Sequence, residues 1–292
     1  MRVDHYGRFV AQLRSRGYAK RSIQSYVRSV RQLQNFTCKS LEEILEEEVR
    51  EYWLYCEDDL GWGKATLRIS YSGIKHFYTY TLKRDWELLR TIKFEREQTL
   101  PVVLSIDEVR TLINEMAHTP QNYAFYSAVY GCGLRLGEAL NLQVGDIDGQ
   151  RKFIHVRHGK GAKDRYVPLS DATLEILRAY YKTHRNPVWI FPALGRNGKS
   201  GRDAEGPVSA TTVQGALRRA LKRLRIAKKA TPHTFRHSYA THMIEAGVPV
   251  RHVQECLGHE SLATVMVYLH VTTHGREDSR RRMNQLMRGV LS

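Results

Sequence analysis

The sequence lacks the features that mark membrane and secreted proteins. No apolar run approaches the roughly 20 residues that span a bilayer, and the N-terminal segment MRVDHYGRFVAQLRSRG has no apolar core of the signal-peptide type. Cysteine is scarce: the chain has four, none at CxxC spacing, which is typical of reduced and mostly buried thiols. We therefore expect a cytoplasmic protein that has no membrane partner.

Motifs for nucleotide and metal chemistry are also missing. Gly159 and Gly161 flank Lys160, but there is no GxxxxGK[ST] sequence and no strand–loop–helix context for a P-loop. His233 and His237 lie four residues apart, as helical zinc ligands do, yet there is no HExxH motif and no cysteine partner. Cys132, between two glycines, has no specific support as a nucleophile. We expect neither a metal nor a cofactor.

Positive charge is abundant. The chain of 292 residues has 46 Lys and Arg against 30 Asp and Glu, a net charge of +16 and a pI near 9.8. A soluble protein with this imbalance most often binds a polyanion, and nucleic acid is the commonest one. An anionic membrane surface is the alternative partner.

Hydrophobic periodicity predicts a mainly helical first domain, residues 1–93. Helices are expected over 6–16, 22–36, 41–55 and 66–81, the third with Ser40 as N-cap and Glu43 completing a capping box. Four such helices make a small bundle. Residues 94–101 are polar, end in proline and read as a linker.

The second domain, residues 102–292, is predicted to be α+β. Helices are expected over 106–115, 122–130, 134–142, 174–182, 210–224, 232–246 and 249–257, with Ser105, Ser209 and Thr231 as caps. Alternating segments at 153–157 and 165–169 predict a β-hairpin with Lys160 at its tip, and 189–191 predicts a short strand.

Two basic segments are candidate DNA-binding faces, although a solvated helix face is the alternative for each. Charged side chains that neutralise phosphates are the common basis of such surfaces. The first segment lies in the first two predicted helices and the second lies in the predicted helix 210–224. Their members are Arg14, Lys20, Arg21, Arg28, Arg218, Arg219, Lys222 and Arg223.

A second pattern suits attack on a phosphodiester. His233 and Arg236 lie one helical turn apart, and Arg135 lies beside a glycine break, so two arginines can bind the non-bridging oxygens. His259 adds a third donor. Lys160 is a candidate general acid for the leaving alkoxide, and Tyr268 is a candidate nucleophile that forms a covalent phosphotyrosyl enzyme.

These residues stand in motifs that resemble those of the tyrosine recombinase, or phage integrase, family. The motifs are GLRLGE with Arg135, GKGAK with Lys160, HTFRH with His233 and Arg236, LGH with His259, and Tyr268 nine residues further on. Phe235 replaces the usual leucine. Glu138 matches an acidic residue that supports the site in this family. The resemblance covers nearly the whole chain and is strongest to compact Xer-like and integron-integrase-like members.

The resemblance implies a fold and an activity. A SAM-like core-binding domain and a catalytic domain would clamp double-stranded DNA, and the tyrosine would form a 3′-phosphotyrosyl bond that leads to strand exchange through a Holliday junction. Four protomers would act together, with the apolar stripe of residues 283–290 docking on a neighbour. The protein would be prokaryotic and nucleoid-associated, without the extra arm-binding domain of large phage integrases. His233 would act as a base or as a phosphate ligand.

Two alternatives remain. A type IB topoisomerase-like enzyme would use the same chemistry without exchanging partners, but the core-binding domain and the tail helix argue against it. A DNA-binding accessory protein with an inactive site is the other, and the intact residue set argues against that. Integration, excision, resolution and inversion are the alternative biological outcomes of such a reaction.

Overall fold

A computed structural model describes residues 4–92, 94, 101–157, 164–195 and 201–258. The chain divides into two compact units, residues 1–99 and 100–292. Helix predominates in both units and the second also has a small antiparallel sheet, so the predicted mainly α, α+β class is confirmed. Among the described residues, no helix combines the length and the apolar character needed to cross a membrane.

The first unit is a helical bundle, as predicted. Its core consists of the inward residues of each helix, such as Phe9, Val30, Tyr52 and Ile74, which are at most 2% exposed. The elements are α1 (His5–Ser15), α2 (Lys20–Thr37), α3 (Glu46–Asp58), α4 (Lys64–His76), a π-helical turn (Phe77–Thr81) and α5 (Leu88–Thr91).

The predicted start of α3 is wrong by five residues. The helix begins at Glu46, and the Leu45 amide before it donates a hydrogen bond of 2.9 Å to Glu48 Oε2. The carbonyl oxygens that a longer helix would use accept other donors: Tyr78 Oη donates to Leu41 O at 3.1 Å, and Arg84 Nη1 donates to Ile44 O at 2.9 Å. The Ser40 amide does donate to Glu43 Oε2 at 3.4 Å, as the predicted capping box requires, but because of these tertiary contacts the segment forms a turn and not the first turn of α3.

The contact between α2 and α4 depends on a glycine. A Cβ atom at Gly73 would lie 2.9 Å from the Tyr26 Cα and 3.2 Å from the Ser29 Cβ. Both are parts of α2 that cannot swing aside. Gly73 therefore allows the two helix backbones to approach closely at this crossing.

Within the described residues, the second unit has helices first, then three short strands and then further helices. Its longer elements are α6 (Ile106–Glu115), α7 (Pro120–Gly131), α8 (Leu136–Leu140), β1 (Ile147–Asp148), β2 (Phe153–Val156), β3 (Arg165–Pro168), α9 (Asp171–His184), α10 (Ala210–Arg223), α11 (Pro232–Glu245) and α12 (Val250–Leu257). Ser105 and Ser209 cap α6 and α10, as predicted, by accepting from the amides of Glu108 and Thr212. The helix predicted over 134–142 is shorter in the structure, where it spans only Leu136–Leu140.

The predicted hairpin is confirmed as β2 and β3, which pair antiparallel with Ile154 opposite Val167. The strand β1, which was not predicted, adds to β2 and completes a sheet of order β1-β2-β3. The predicted strand at 189–191 is wrong. The Asn186 side chain accepts from the amides of Val188 and Trp189, which removes those donors from a ladder, and Trp189 forms only an isolated bridge to Gln143.

The core of the second unit forms around α7, which is buried on nearly all sides. Phe125, Tyr126 and Val129 are fully buried, and the Tyr126 ring lies 5.0 Å from the ring of Phe235 on α11. A smaller apolar cluster, which includes Tyr239 and Leu257, packs α11 against α12. This packing brings the turn after α7, the middle of α11 and the end of α12 together.

Candidate active site

Arg135 stands in the turn between α7 and α8. Gly133, with φ +58°, reverses the chain after α7. Arg135 then takes the N-cap position of α8, and its amide donates to Glu138 Oε2 at 2.8 Å. The side chain returns to the same carboxylate, where Nη1 donates to Glu138 Oε1 at 2.7 Å. The Glu138 carboxylate therefore binds both the amide and the guanidinium of this arginine.

Glu138 is the common partner of three arginines. Besides Arg135, Arg165 makes two parallel hydrogen bonds to it at 2.8 and 2.7 Å, and Arg236 Nη1 lies 3.7 Å from Oε2. Burial alone raises the pKa of the Glu138 carboxyl. The hydrogen bonds and charge of Arg165, with the amide and side chain of Arg135, outweigh burial and lower the pKa to about 2. Glu138 is therefore ionised at neutral pH.

Arg236 lies on α11 and is 1% exposed, although it is a charged residue. Its Nη1 donates to the Gly133 carbonyl oxygen at 2.6 Å, and its Nη2 donates to the Leu257 carbonyl oxygen. The N-cap Thr231 and Pro232 start α11 as predicted, which places Arg236 one turn inside the helix. Buried polar partners keep the guanidinium in a fixed direction.

His233 lies one turn before Arg236. Burial, followed by the positive charges of Arg236 and Arg135, lowers the pKa of His233. His237 is the next histidine on the helix, and their rings lie 4.7 Å apart, edge to face. Burial, then His233 and Arg236, lower the pKa of His237 to about 4. Both imidazoles are therefore neutral at pH 7.

The end of α12 is bound by the same arginines. The last carbonyl groups of a helix have no partners inside the helix. Here Arg165 Nε donates to Cys256 O at 2.8 Å, Arg236 Nη2 donates to Leu257 O, and Arg135 Nη2 donates to Gly258 O at 3.0 Å. Three consecutive carbonyl groups are thus each held by a different arginine, directly before His259 in the sequence.

The cluster carries an excess of positive charge. Three guanidinium groups surround one carboxylate, which leaves a net charge of +2. Arg135 and Glu138 also line an open groove of about 710 Å³ beside β2. An oriented cationic cluster at the edge of a groove is suited to bind an anion and to stabilise negative charge that develops on it.

The structure brings together four of the predicted site residues: Arg135, Glu138, His233 and Arg236. Lys160, His259 and Tyr268 lie outside the described residues, as does the segment 283–290. Cys132 is fully buried, and burial raises the pKa of its thiol to about 12, which argues against nucleophilic chemistry there.

The residues predicted to bind DNA lie on exposed helix faces. Arg14 is on α1 and the other three of the first segment are on α2. The second segment lies on α10, where Arg223 forms an ion pair with Glu115 of α6. Arg223 is therefore partly neutralised, whereas no such pair is described for Arg218, Arg219 and Lys222.

Sequence reasoning missed Arg165. A signal was present: in the predicted strand, period-2 alternation places Arg165 on the same face as Val167, which is an inward position. A charged residue on a buried face requires a partner. Glu138 and the end of α12 are those partners, but no sequence pattern identifies them.

Comparisons with known proteins place this site in a family. The phage integrase family model matches residues 103–274, and the N-terminal SAM-like domain of phage integrases matches residues 6–88. A tyrosine recombinase of Thermosipho africanus is 32% identical over 95% of this chain and 97% of its own length.

Solved structures agree with this assignment. A XerA recombinase structure is 27% identical, covers 96% of this chain and 98% of its own, and has a TM-score of 0.54. A lambda integrase dimer bound to a COC′ core site has a TM-score of 0.73 at 18% identity, covering 92% of this chain and 95% of its own, and is therefore a likeness of fold. The chain belongs to the phage integrase family of tyrosine-type site-specific recombinases.

Proposed function

We propose that the protein cuts and rejoins DNA at a specific site through a covalent 3′-phosphotyrosyl intermediate, and exchanges strands through a Holliday junction. The observation that carries the proposal is the group of Arg135, His233 and Arg236 around Glu138, a preorganised cationic site. Preorganised donors stabilise a phosphoryl transition state because they need no reorientation as charge develops.

Each residue has a distinct role in the proposed reaction. The Tyr268 hydroxyl attacks the phosphorus, and the bond to the 5′ oxygen breaks, so the 3′ phosphate becomes attached to the tyrosine. Arg135 and Arg236 bind the non-bridging oxygens, and His259 donates a further hydrogen bond. Lys160 protonates the departing 5′ oxygen. The neutral His233 accepts the tyrosine proton or binds a phosphate oxygen.

The two units have different roles in the proposed reaction. Residues 1–93 form the core-binding domain, residues 94–101 the linker and residues 102–292 the catalytic domain, and together they clamp double-stranded DNA. The exposed cations of α1, α2 and α10 contact phosphates. Support comes from the lambda integrase structure, which is of a dimer bound to a core site.

A homotetramer assembles on two paired sites. The apolar stripe of residues 283–290 docks on a neighbouring protomer, since Met283, Leu286, Met287 and Val290 recur at helical spacing. The protein works on the nucleoid of a prokaryotic cell. Neither a metal nor a cofactor has a role, because cationic side chains supply the electrostatic stabilisation.

The decisive experiment offers the protein a library of nicked suicide DNA, in which cleavage releases a short strand and traps the covalent complex. We expect a protein–DNA adduct whose recovered DNA shares one sequence. Tyr268→Phe should abolish the adduct. Tyr166→Phe, at a 66% exposed tyrosine of β3, is the matched control and should retain it. An adduct that persists in Tyr268→Phe would show that the nucleophile is a different residue.

A second assay separates recombination from simple relaxation. DNA with two copies of the recovered site should yield exchanged products and a four-way junction intermediate. A topoisomerase-like enzyme would instead relax supercoils and produce no exchanged strands. Relaxation without exchange would contradict the proposed recombination.

A further inference from the structure

Arg165 opens β3 and points into the second unit. Its side chain is 10% exposed, and strand alternation places it on the same face as the fully buried Val167. Burying a guanidinium is unfavourable unless protein groups replace the water that it loses. The partners of Arg165 therefore indicate why an arginine occupies this position.

These partners belong to two other elements. Nη1 and Nη2 donate to the two carboxylate oxygens of Glu138, on α8, at 2.8 and 2.7 Å. Nε donates to the carbonyl oxygen of Cys256, on α12, at 2.8 Å. The planar guanidinium matches a carboxylate with two parallel bonds, which lysine cannot reproduce. Arg165 thus joins the start of β3, α8 and the end of α12 through one rigid group.

The stem of Arg165 also packs against Gly258. This glycine has φ +60°, and a Cβ atom added to it would lie 2.9 Å from the Arg165 Cδ. The end of α12 therefore rests on the stem of Arg165 while its carbonyl groups accept from the guanidinium groups. Gly258, which Arg165 contacts, directly precedes His259 in the sequence.

Arg165 differs from Arg135 in what it faces. Arg135 and Glu138 line the groove of about 710 Å³, and Arg165 is not among the described residues that line it. The side chain of Arg135 is 22% exposed, compared with 10% for Arg165. The contacts of Arg165 are thus directed at the groups that hold the site and not at the groove.

We propose that Arg165 is a positioning residue for the recombination reaction, an inference that rests on the proposed function. It holds the Glu138 carboxylate and the end of α12 in place. Through Glu138 it orients Arg135 and Arg236, and through the Cys256 carbonyl it fixes the end of α12. It does not contact the DNA.

The test compares Arg165→Lys, Glu138→Gln and the double variant in single-turnover cleavage of nicked suicide DNA at saturating protein. Lysine keeps the charge but loses the planar fork. We expect the cleavage rate of Arg165→Lys to fall about 10- to 100-fold, as misplaced catalytic groups do. Its Kd for DNA and the salt dependence of binding should stay within about twofold of the wild type, because no phosphate contact is lost. Arg178→Lys, at an exposed position of α9, is the matched control and should cleave normally.

The double variant tests whether Arg165 acts through Glu138. Residues that act as one unit give non-additive effects. The double variant should therefore cleave no more than about threefold slower than the slower single variant. Multiplicative losses would overturn the proposal, and so would a salt slope that falls by about one in Arg165→Lys, which indicates a lost phosphate contact.

A merely stabilising role gives another result that overturns the proposal. In that case, the cleavage rate of Arg165→Lys would return to the wild-type value well below its melting temperature. Failure of the proposed function is visible separately, because the wild type would then form no Tyr268-dependent adduct. A wild type that forms the adduct beside an Arg165→Lys variant that cleaves normally would refute only the role of Arg165.

Discussion

Arg236 donates a hydrogen bond of 2.6 Å to the carbonyl oxygen of Gly133, a residue 103 positions earlier in the chain. Gly133 has φ +58°, where residues with a side chain are strained. A Cβ atom there would lie 2.6 Å from the Tyr239 ring and 3.0 Å from Leu257. The glycine is thus required for the turn, for the packing of α12 and for the orientation of the buried arginine.

Replacing this glycine should damage both stability and activity. For Gly133→Ala, we expect the free energy of unfolding to fall by about 2 kcal/mol or more, because backbone strain and overpacking add. DNA cleavage should fall more than DNA binding, since Arg236 loses its fixed acceptor. Chemical denaturation and the suicide-DNA assay measure the two effects. The control is Gly137→Ala in α8, where no atom crowds the added carbon, and unchanged or slightly higher stability is expected. Equal stability of the two variants would contradict the role of Gly133.

The ion cluster predicts how stability depends on pH. The pKa of Glu138 is about 2 in the folded protein, compared with 4.5 for the free side chain. A lowered pKa contributes stability that is complete above pH 4.5 and is lost as the pH falls toward 2. Glu138→Gln should therefore be less stable than the wild type by on the order of 3 kcal/mol at pH 6, and the difference should shrink below pH 4.5.

Denaturant unfolding at several pH values measures this difference. Glu175→Gln, at an exposed residue of α9, is the control, and its difference from the wild type should stay small throughout. A Glu138→Gln difference that is constant from pH 6 to pH 3 would exclude the paired carboxylate as its cause.

The two histidines of α11 predict a second pH effect. Burial, Arg236 and Arg135 lower the pKa of His233, and burial, His233 and Arg236 lower that of His237 to about 4. The unfolded chain binds these protons at a higher pH than the folded protein does. The free energy of unfolding should therefore decrease as the pH falls from 6.5 toward 4. NMR titration of the imidazole protons in the DNA-free protein, with signals assigned from His233→Gln and His237→Gln, tests this. A pKa above 6.5 for either ring would contradict its burial beside the arginines.

The basic face of α10 predicts the salt dependence of DNA binding. Arg219→Ala should lower the slope of log K against log salt by about 0.9 if the side chain neutralises one phosphate. Arg223→Ala should have a smaller effect, because that residue must first leave Glu115. Lys182→Ala, on the exposed surface of α9, removes the same charge and should leave the slope unchanged. If all three variants gave the same slope of log K against log salt, the basic face of α10 would not be the surface that binds DNA.

Close packing of α2 on α4 gives a prediction for the first unit. Gly73→Ala should destabilise this unit by about 1–3 kcal/mol, because the methyl group meets backbone atoms of Tyr26. Hydrogen exchange of α2 and α4 peptides in the full-length protein should accelerate. Gly63→Ala, where the added carbon meets nothing within 4 Å, is the control. Unchanged hydrogen-exchange rates of α2 and α4 in Gly73→Ala would contradict the requirement for a glycine at this helix crossing.

Local signals in the sequence predicted most of what surrounds the site. Spacing along one helix placed His233 beside Arg236, and serine caps located the starts of α6 and α10. Signals of this kind failed where distant groups decide the structure. The carbonyl oxygens of Leu41 and Ile44 bind Tyr78 and Arg84 instead of starting α3.

Other features leave no pattern to find. The strand β1 has two residues, which is too short for alternation to be visible. The bonds from Arg165 to Glu138 and from the arginines to the end of α12 join segments far apart in the chain. Periodicity reports which face of an element is buried, but it does not report which element will cover that face.

The three arginine–carbonyl contacts at the end of α12 also constrain the order of folding. They join residues separated by 21, 91 and 123 positions. Contacts of long sequence separation form late, because a large loop must close before they are made. During synthesis, the ribosome releases α12 only after α8 and β3 are already outside. The cationic cluster is therefore completed only after α12 has been synthesised, so a growing polypeptide that ends before α12 lacks the carbonyl groups that hold Arg135, Arg165 and Arg236.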